Sequence, residues 1–261
     1  MMIVAGHKTS RKAMGLAADF CPICRDFRAF HVTEIRKVAH LYWVPVGRGT
    51  TQVREIQCRS CASVMATTDR GYPAYARTFV ADVVELARET NPDIMSLNRP
   101  RLELEDRLAE GKLARADREV LIAEPFLVLN YMVHKKWGSR GSMPAMAAIA
   151  VVAALFLVPA ALVAWVSNHG RTDAAAILSV LAGLAVLTAV VSFIKGSGKW
   201  IRRHIHPRLI AALLPLDPTP EEIARVLEET RRGKYTIGRR VRPAELSADL
   251  ARARSTPGRR G

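Results

Sequence analysis

Two apolar runs, residues 144–166 and 174–194, constrain this chain most, because neither contains an ionisable side chain. A hydrocarbon core about 30 Å thick needs about 20 helical residues to cross it. The runs supply 23 and 21, nearly all Ala, Val, Leu, Ile and Phe, with Ser179, Thr188 and Ser192 interrupting the second. Buried helices of globular proteins are shorter and keep a polar stripe, so the sequence predicts a two-helix transmembrane hairpin. The connection 167–173 is short and polar, and Pro159 bends the first span.

Orientation follows from the basic flanks. Lys135, Lys136 and Arg140 precede the first run, and Lys195, Lys199, Arg202, Arg203 and Arg208 follow the second. The loop between them holds Arg171 balanced by Asp173. The positive-inside rule then places both termini in the cytoplasm of an integral plasma (inner) membrane protein, with these eight basic residues at anionic lipid headgroups. Trp137, Trp165 and Trp200 fall at the span ends as interfacial anchors. The opening residues have no apolar core followed by a small-residue cleavage site, so neither run reads as a signal peptide. The runs hold no ionisable group of the kind that marks transport or intramembrane catalysis.

All four cysteines fall into two C-x-x-C pairs, Cys21/Cys24 and Cys58/Cys61, with 33 residues between them. Each pair can turn two thiolates toward one ion, and two such knuckles complete a tetrahedral site suited to zinc. Disulfides require an oxidising compartment, whereas the orientation puts this region in the cytoplasm. A thioredoxin-like pair would need one motif beside a strand-helix-strand unit. A rubredoxin-type iron site uses the same four ligands. His31 and His40 lie between the knuckles and read as ordinary strand or loop residues, since four thiolates already close the site.

Between the knuckles, residues 40–46 are aromatic and β-branched, Gly47-Arg48-Gly49 reads as a turn, and 51–57 alternate polar and apolar. A short three-stranded module around one metal is expected. It would bury little apolar surface, so the metal would supply much of its stability.

The sequences FCPIC, YWVPVGRG and VREIQCRSCASVM resemble the zinc-ribbon domains found on small bacterial membrane proteins, over residues 19–66. The resemblance implies a structural metal at Cys21, Cys24, Cys58 and Cys61, and no enzyme activity. It also implies glycine after each second cysteine, where a positive φ lets backbone amides reach the sulfurs. This chain has Arg25 and Ala62 there, which predicts altered knuckle geometry.

The expected organisation is therefore an α+β membrane protein in five parts. An N-terminal extension (1–18) precedes the small β zinc ribbon. A cytoplasmic helical region (78–143) follows, with helices over 78–90, 102–110 and 113–123 and an apolar stretch at 126–133. Its 101–126 portion is similar to the short helical hairpins of bacterial membrane proteins. The transmembrane hairpin (144–194) leads into a basic C-terminal tail (195–261). That tail holds 16 Lys or Arg against 7 Asp or Glu, most of the chain's net +15. Thr219-x-x-Glu222 is a capping-box signature for a helix near 220–232; 234–242 reads as strand or loop and 251–261 as disordered.

The functional expectation is a membrane-anchored adaptor for a protein partner, performing no chemistry. The alternative is a membrane-tethered nucleic-acid binder using the basic tail and ribbon. No phosphate-binding Gly-rich loop, G-x-S-x-G or H-E-x-x-H occurs. Glu103, Glu105 and Asp106 read as a solvated helix face.

Overall fold

Four strands run as one antiparallel meander in the order β1-β2-β3-β4. They are β1 (Ala5–Cys21), β2 (Asp26–Leu41), β3 (Val44–Cys58) and β4 (Val64–Thr67). This computed structural model describes residues 5–42, 44–67, 71–78, 80, 82–138, 163, 183–184 and 198–255. The helices are α1 (Val83–Thr90), α2 (Ile94–Leu97), α3 (Arg99–Ala109) and α4 (Arg115–Gly138), then α5 (His206–Leu213), α6 (Pro220–Arg232), α7 (Thr236–Arg240) and α8 (Pro243–Ser255). The chain divides into two units, 1–135 with 206–261, and 136–205.

The β module is larger than the three short strands expected from sequence. Residues 5–21 form a 17-residue strand rather than an extension. Its outer half escapes apolar pattern reading because residues 7–13 (HKTSRKA) are polar, small and exposed. The β2–β3 turn also differs from expectation. The chain reverses between Leu41 and Val44, inside the aromatic run, with Tyr42 at φ 46°. Gly47-Arg48-Gly49 belongs to β3 instead. Gly49, at φ 70°, sits beside a register shift, where an added Cβ would lie 2.8 Å from the Lys37 carbonyl oxygen.

The inner half of the sheet is buried. Leu16 and Ala18 of β1 form a cluster with Ala76, Leu86 and Ile94, joined by Phe27 and Ala29 of β2. The outer edge of β1 is covered there. Leu16 exchanges both backbone hydrogen bonds with Ala76, at 2.8 and 2.9 Å, and the Ala18 amide donates to the Thr90 hydroxyl at 3.0 Å. Covering a sheet edge in this way removes a pairing hazard.

Helix α4 joins two segments that the sequence presents separately, 113–123 and 126–133, and carries Pro125 in its interior. Proline removes one helical donor, yet the helix continues, with Leu121, Ile122, Phe126, Leu129 and Val133 all buried. It faces the C-terminal helices. Arg118 pairs with Glu222 at 2.9 Å, Arg225 with Glu119 at 2.9 Å, and the Ile237 amide donates to Asn130 Oδ1 at 3.1 Å.

Four helices occupy 206–255, where the sequence suggests a basic tail with one short helix. Leu209, Leu213, Ile223, Leu227, Ile237 and Leu246 are fully buried. Thr219 caps α6 through both reciprocal bonds of the capping box. Residues 251–255, read as disordered, end α8. Charges on the outward faces hide this apolar spacing from a reading based on composition.

The transmembrane expectation is corrected. No helix among the described residues is long and apolar enough to cross a membrane. The longest of them, α4, has 24 residues but carries Arg115, Asp117, Arg118, Glu119, Glu124, Lys135 and Lys136, charges that a bilayer interior rejects. The α+β membrane class, the membrane and transmembrane-helix assignments and the integral inner-membrane location are withdrawn with it. The runs 144–166 and 174–194 lie outside the described residues apart from Val163, Gly183 and Leu184. Within the second unit, residues 198–204 are helical, and Trp137 meets Trp200 edge to face at 4.9 Å. These two rings were expected as lipid anchors.

Gly15 sets the bulge that turns the inner part of β1 toward its cover. It has φ 138°, and an added Cβ would stand 2.5 Å from the Ala76 carbonyl oxygen. Gly15→Ala is expected to destabilise the protein by about 2–3 kcal/mol in urea unfolding, through combined backbone strain and the broken Leu16–Ala76 bridge.

Candidate metal centre

Strand ends place the four cysteines. Cys21 closes β1 and Cys58 closes β3, and each chain reversal delivers its second cysteine three residues later. In the first knuckle the Arg25 amide donates to the Cys21 carbonyl at 2.7 Å, and the Cys24 amide points to Cys21 Sγ at 3.5 Å. In the second the Ala62 amide donates to the Cys58 carbonyl at 2.9 Å. Ile23 is buried beneath the first turn, and the Arg59 amide ties the second to the Ala29 carbonyl at 3.0 Å.

The four sulfurs lie within 4.8 Å of one another. Cys21 and Cys61 are 3.6 Å apart and Cys24 and Cys58 are 3.9 Å apart. Ligands about 2.3 Å from a tetrahedral zinc are separated by about 3.8 Å, so the donor set fits such an ion. A disulfide, at about 2.05 Å, does not describe either pair; all four are free thiols. Cys21 and Cys58 are buried, while Cys24 and Cys61 are half-buried.

The thiols share their protons unequally. Hydrogen bonds from Cys21 and Cys24 pull Cys58 down to about 7 and Cys61 lower still, with Ser63 assisting at Cys61. Bonds to Cys24, Cys58 and Cys61, together with burial, push Cys21 up. Cys24 also rises, although its bond with Cys21 acts the other way, because Cys58, Cys61 and burial oppose it. Such a cluster binds protons that a divalent cation would displace. The Ser63 hydroxyl, fully buried and 3.1 Å from Cys61 Sγ, is placed to donate to the thiolate once it forms.

Arg25 and Ala62 adopt the left-handed backbone that the zinc-ribbon resemblance assigns to glycine, at φ 57° and φ 54°. The expected alteration of the knuckles is therefore corrected. Both turns keep the same backbone sign, and at Arg25 the contacts of the side chain offset the cost. Arg25 is held by Glu105 of α3, with Nε 2.9 Å from Oε2, and by the Ala212 carbonyl of α5 at 3.3 Å. Arg101 also binds Glu105, at 2.7 Å, and Glu124, at 3.0 Å, while its guanidinium lies 5.4 Å from the centre of the Phe20 ring. Burial pushes the Glu124 carboxyl up despite that arginine. The second knuckle is held from α5, where Arg208 Nε donates to the Cys61 carbonyl at 2.8 Å. Four thiolates around a divalent ion leave a net negative site, so two guanidiniums beside the knuckles also suit it electrostatically.

Several residues have contacts that the sequence did not suggest. Glu105, read as a solvated face, anchors Arg25. Arg208, read as a lipid contact, holds a knuckle. Lys135, grouped with it, pairs with Glu55 at 2.5 Å, and Tyr131 donates to the same carboxylate at 2.6 Å. Burial raises Glu55, but Lys135, Tyr131 and Arg11 outweigh it and hold the carboxyl below its usual range. Lys136, Lys199, Arg202 and Arg203 belong to the second unit; Arg140 and Lys195 lie outside the described residues. His31 and His40 contribute no ligand to the cluster.

Four cysteines gathered within metal-binding distance at the end of an antiparallel sheet are consistent with a zinc ribbon. Comparison with protein-family models, with curated proteins and with solved structures found no match for the chain.

The two left-handed positions are expected to respond oppositely to glycine. Ala62→Gly relieves strain with little lost packing and should stabilise by about 1 kcal/mol. Arg25→Gly relieves the same strain but removes the Glu105 clamp, giving a net loss of about 1–3 kcal/mol. Thermal unfolding of the metal-loaded proteins distinguishes the two.

Proposed function

We propose that this protein is a non-enzymatic adaptor whose ribbon is stapled by one structural zinc ion and presents a docking surface to a macromolecular partner. The spacing of the four sulfurs carries this reading. All four positions of a tetrahedral ion are filled by protein, so none is left for the water or substrate of a catalytic zinc site. The ligands hold two hairpin ends together, and their supports reach α3 through Arg25 and α5 through Arg208. A bound ion would thus lock the sheet to the helices. Zinc is preferred to iron for this purpose because it has no redox chemistry of its own.

Metal analysis of the full chain purified under reducing conditions is expected to find one zinc per chain. Cys58→Ser should lose the zinc and the ordered sheet together, read as loss of β-signal in circular dichroism, and a chelator should reproduce that loss in the native chain. A red, iron-containing protein would contradict the zinc assignment. A sheet unchanged after metal removal would contradict the structural role.

A further inference from the structure

The outer half of the sheet has a charge pattern that the metal site does not explain. There, residues 5–13 pair with 33–41, and 44–54 complete a third strand; among the described residues of this half, Glu34, Ile35 and Val38 are the buried members. Residues 5–13 and 36–54 contain Lys8, Arg11, Lys12, Arg36, Lys37, Arg48 and Arg54, with no Asp or Glu. Lys8, Arg11, Lys12 and Lys37 are exposed. The two acids at the base of this arm are already engaged. Glu34 accepts from Thr51 at 2.6 Å and Arg36 at 2.7 Å, and Glu55 from Lys135 and Tyr131.

We propose that this basic β-arm binds double-stranded DNA, chiefly through backbone phosphates. Cross-strand partners share a face of the sheet, so the pairs Lys8/Val38, Ser10/Arg36 and Lys12/Glu34 put Lys8, Lys12 and Arg36 on one side. Side chains on one face recur about every 6.8 Å, two base-pair rises of about 3.4 Å. A two-stranded β-ribbon fits the major groove of B-form DNA, about 12 Å wide, and the edge strand β1 with β2 supplies such a pair. The major groove of A-form RNA is too narrow to admit side chains. A protein partner matches less well. Protein interfaces concentrate apolar and aromatic groups and are depleted in lysine, whereas residues 7–13 offer no large apolar side chain and the exposed Tyr42 and Val44 are confined to the turn at the tip.

The proposal deepens the adaptor reading by naming its partner, and it rests on that reading because the metal knuckles close the base of the arm. The test measures affinity of the full, zinc-loaded chain for a 24-base-pair duplex from about 50 to 200 mM salt, over which contacts from Lys8, Lys12 and Arg36 should lose about 40-fold. The variant Lys8→Ala/Lys12→Ala should keep its zinc and melting temperature. Its log–log salt slope should be shallower by about 1.8, the release expected for two phosphate contacts. Arg231→Ala/Arg232→Ala on α6 should leave the slope unchanged. Absence of duplex binding at low salt, an unchanged slope in the lysine variant, or equal competition by polyglutamate would overturn DNA binding by the arm. None of these results would touch the metal reading, which fails only if the native chain lacks zinc or keeps its sheet without it.

Discussion

The structure depends on bringing four sulfurs to one point. Strands of 15 to 17 residues form two hairpins whose cysteine-bearing ends meet, and hairpins are marginal by themselves in water. A metal ion held by the knuckles would convert two chain reversals into one cross-link. It would also hold the register of the first three strands, because Cys21 and Cys58 end β1 and β3. The contact of Leu16 and Ala18 with α1 and α2 follows from that register, as does the outward projection of residues 5–13.

Arginine takes a second part in the same design. Ribbon knuckles call for a left-handed residue after the second cysteine, which glycine supplies at least cost. Here Arg25 and Ala62 supply it, and the arginine uses its side chain to reach Glu105 and the Ala212 carbonyl. From the other side Arg208 reaches the Cys61 carbonyl. The local backbone strain is offset by tertiary contacts that a glycine could not make. The high arginine content thus includes structural members as well as exposed charge.

The cysteine cluster was legible in sequence because a C-x-x-C pair concentrates its chemistry in four adjacent residues. The positive φ at Arg25 and Ala62 was not, since no local rule sets arginine or alanine there; at Arg25 the holding contact is Glu105, 80 residues away. Strand β1 was missed because its outer residues are polar on both faces, and alternation shows only where one face is buried. The turn at Tyr42 was assigned to Gly47-Arg48-Gly49, since glycine serves a bulge as readily as a turn. The C-terminal helices were obscured by basic residues on their exposed faces, although the capping box at Thr219 was readable as a local signal. The transmembrane reading rested on 144–166 and 174–194, which the described residues barely touch. The described helix of spanning length, α4, buries an apolar stripe but is too highly charged to cross a membrane.

The central claim is a protein-only tetrahedral thiolate site, and X-ray absorption at the metal edge of the purified chain tests it most directly. The account predicts zinc with four sulfur neighbours at about 2.3 Å and no nitrogen or oxygen in the coordination shell. A shell containing oxygen or nitrogen, or fewer than four sulfurs, would show an open or incomplete site and contradict it.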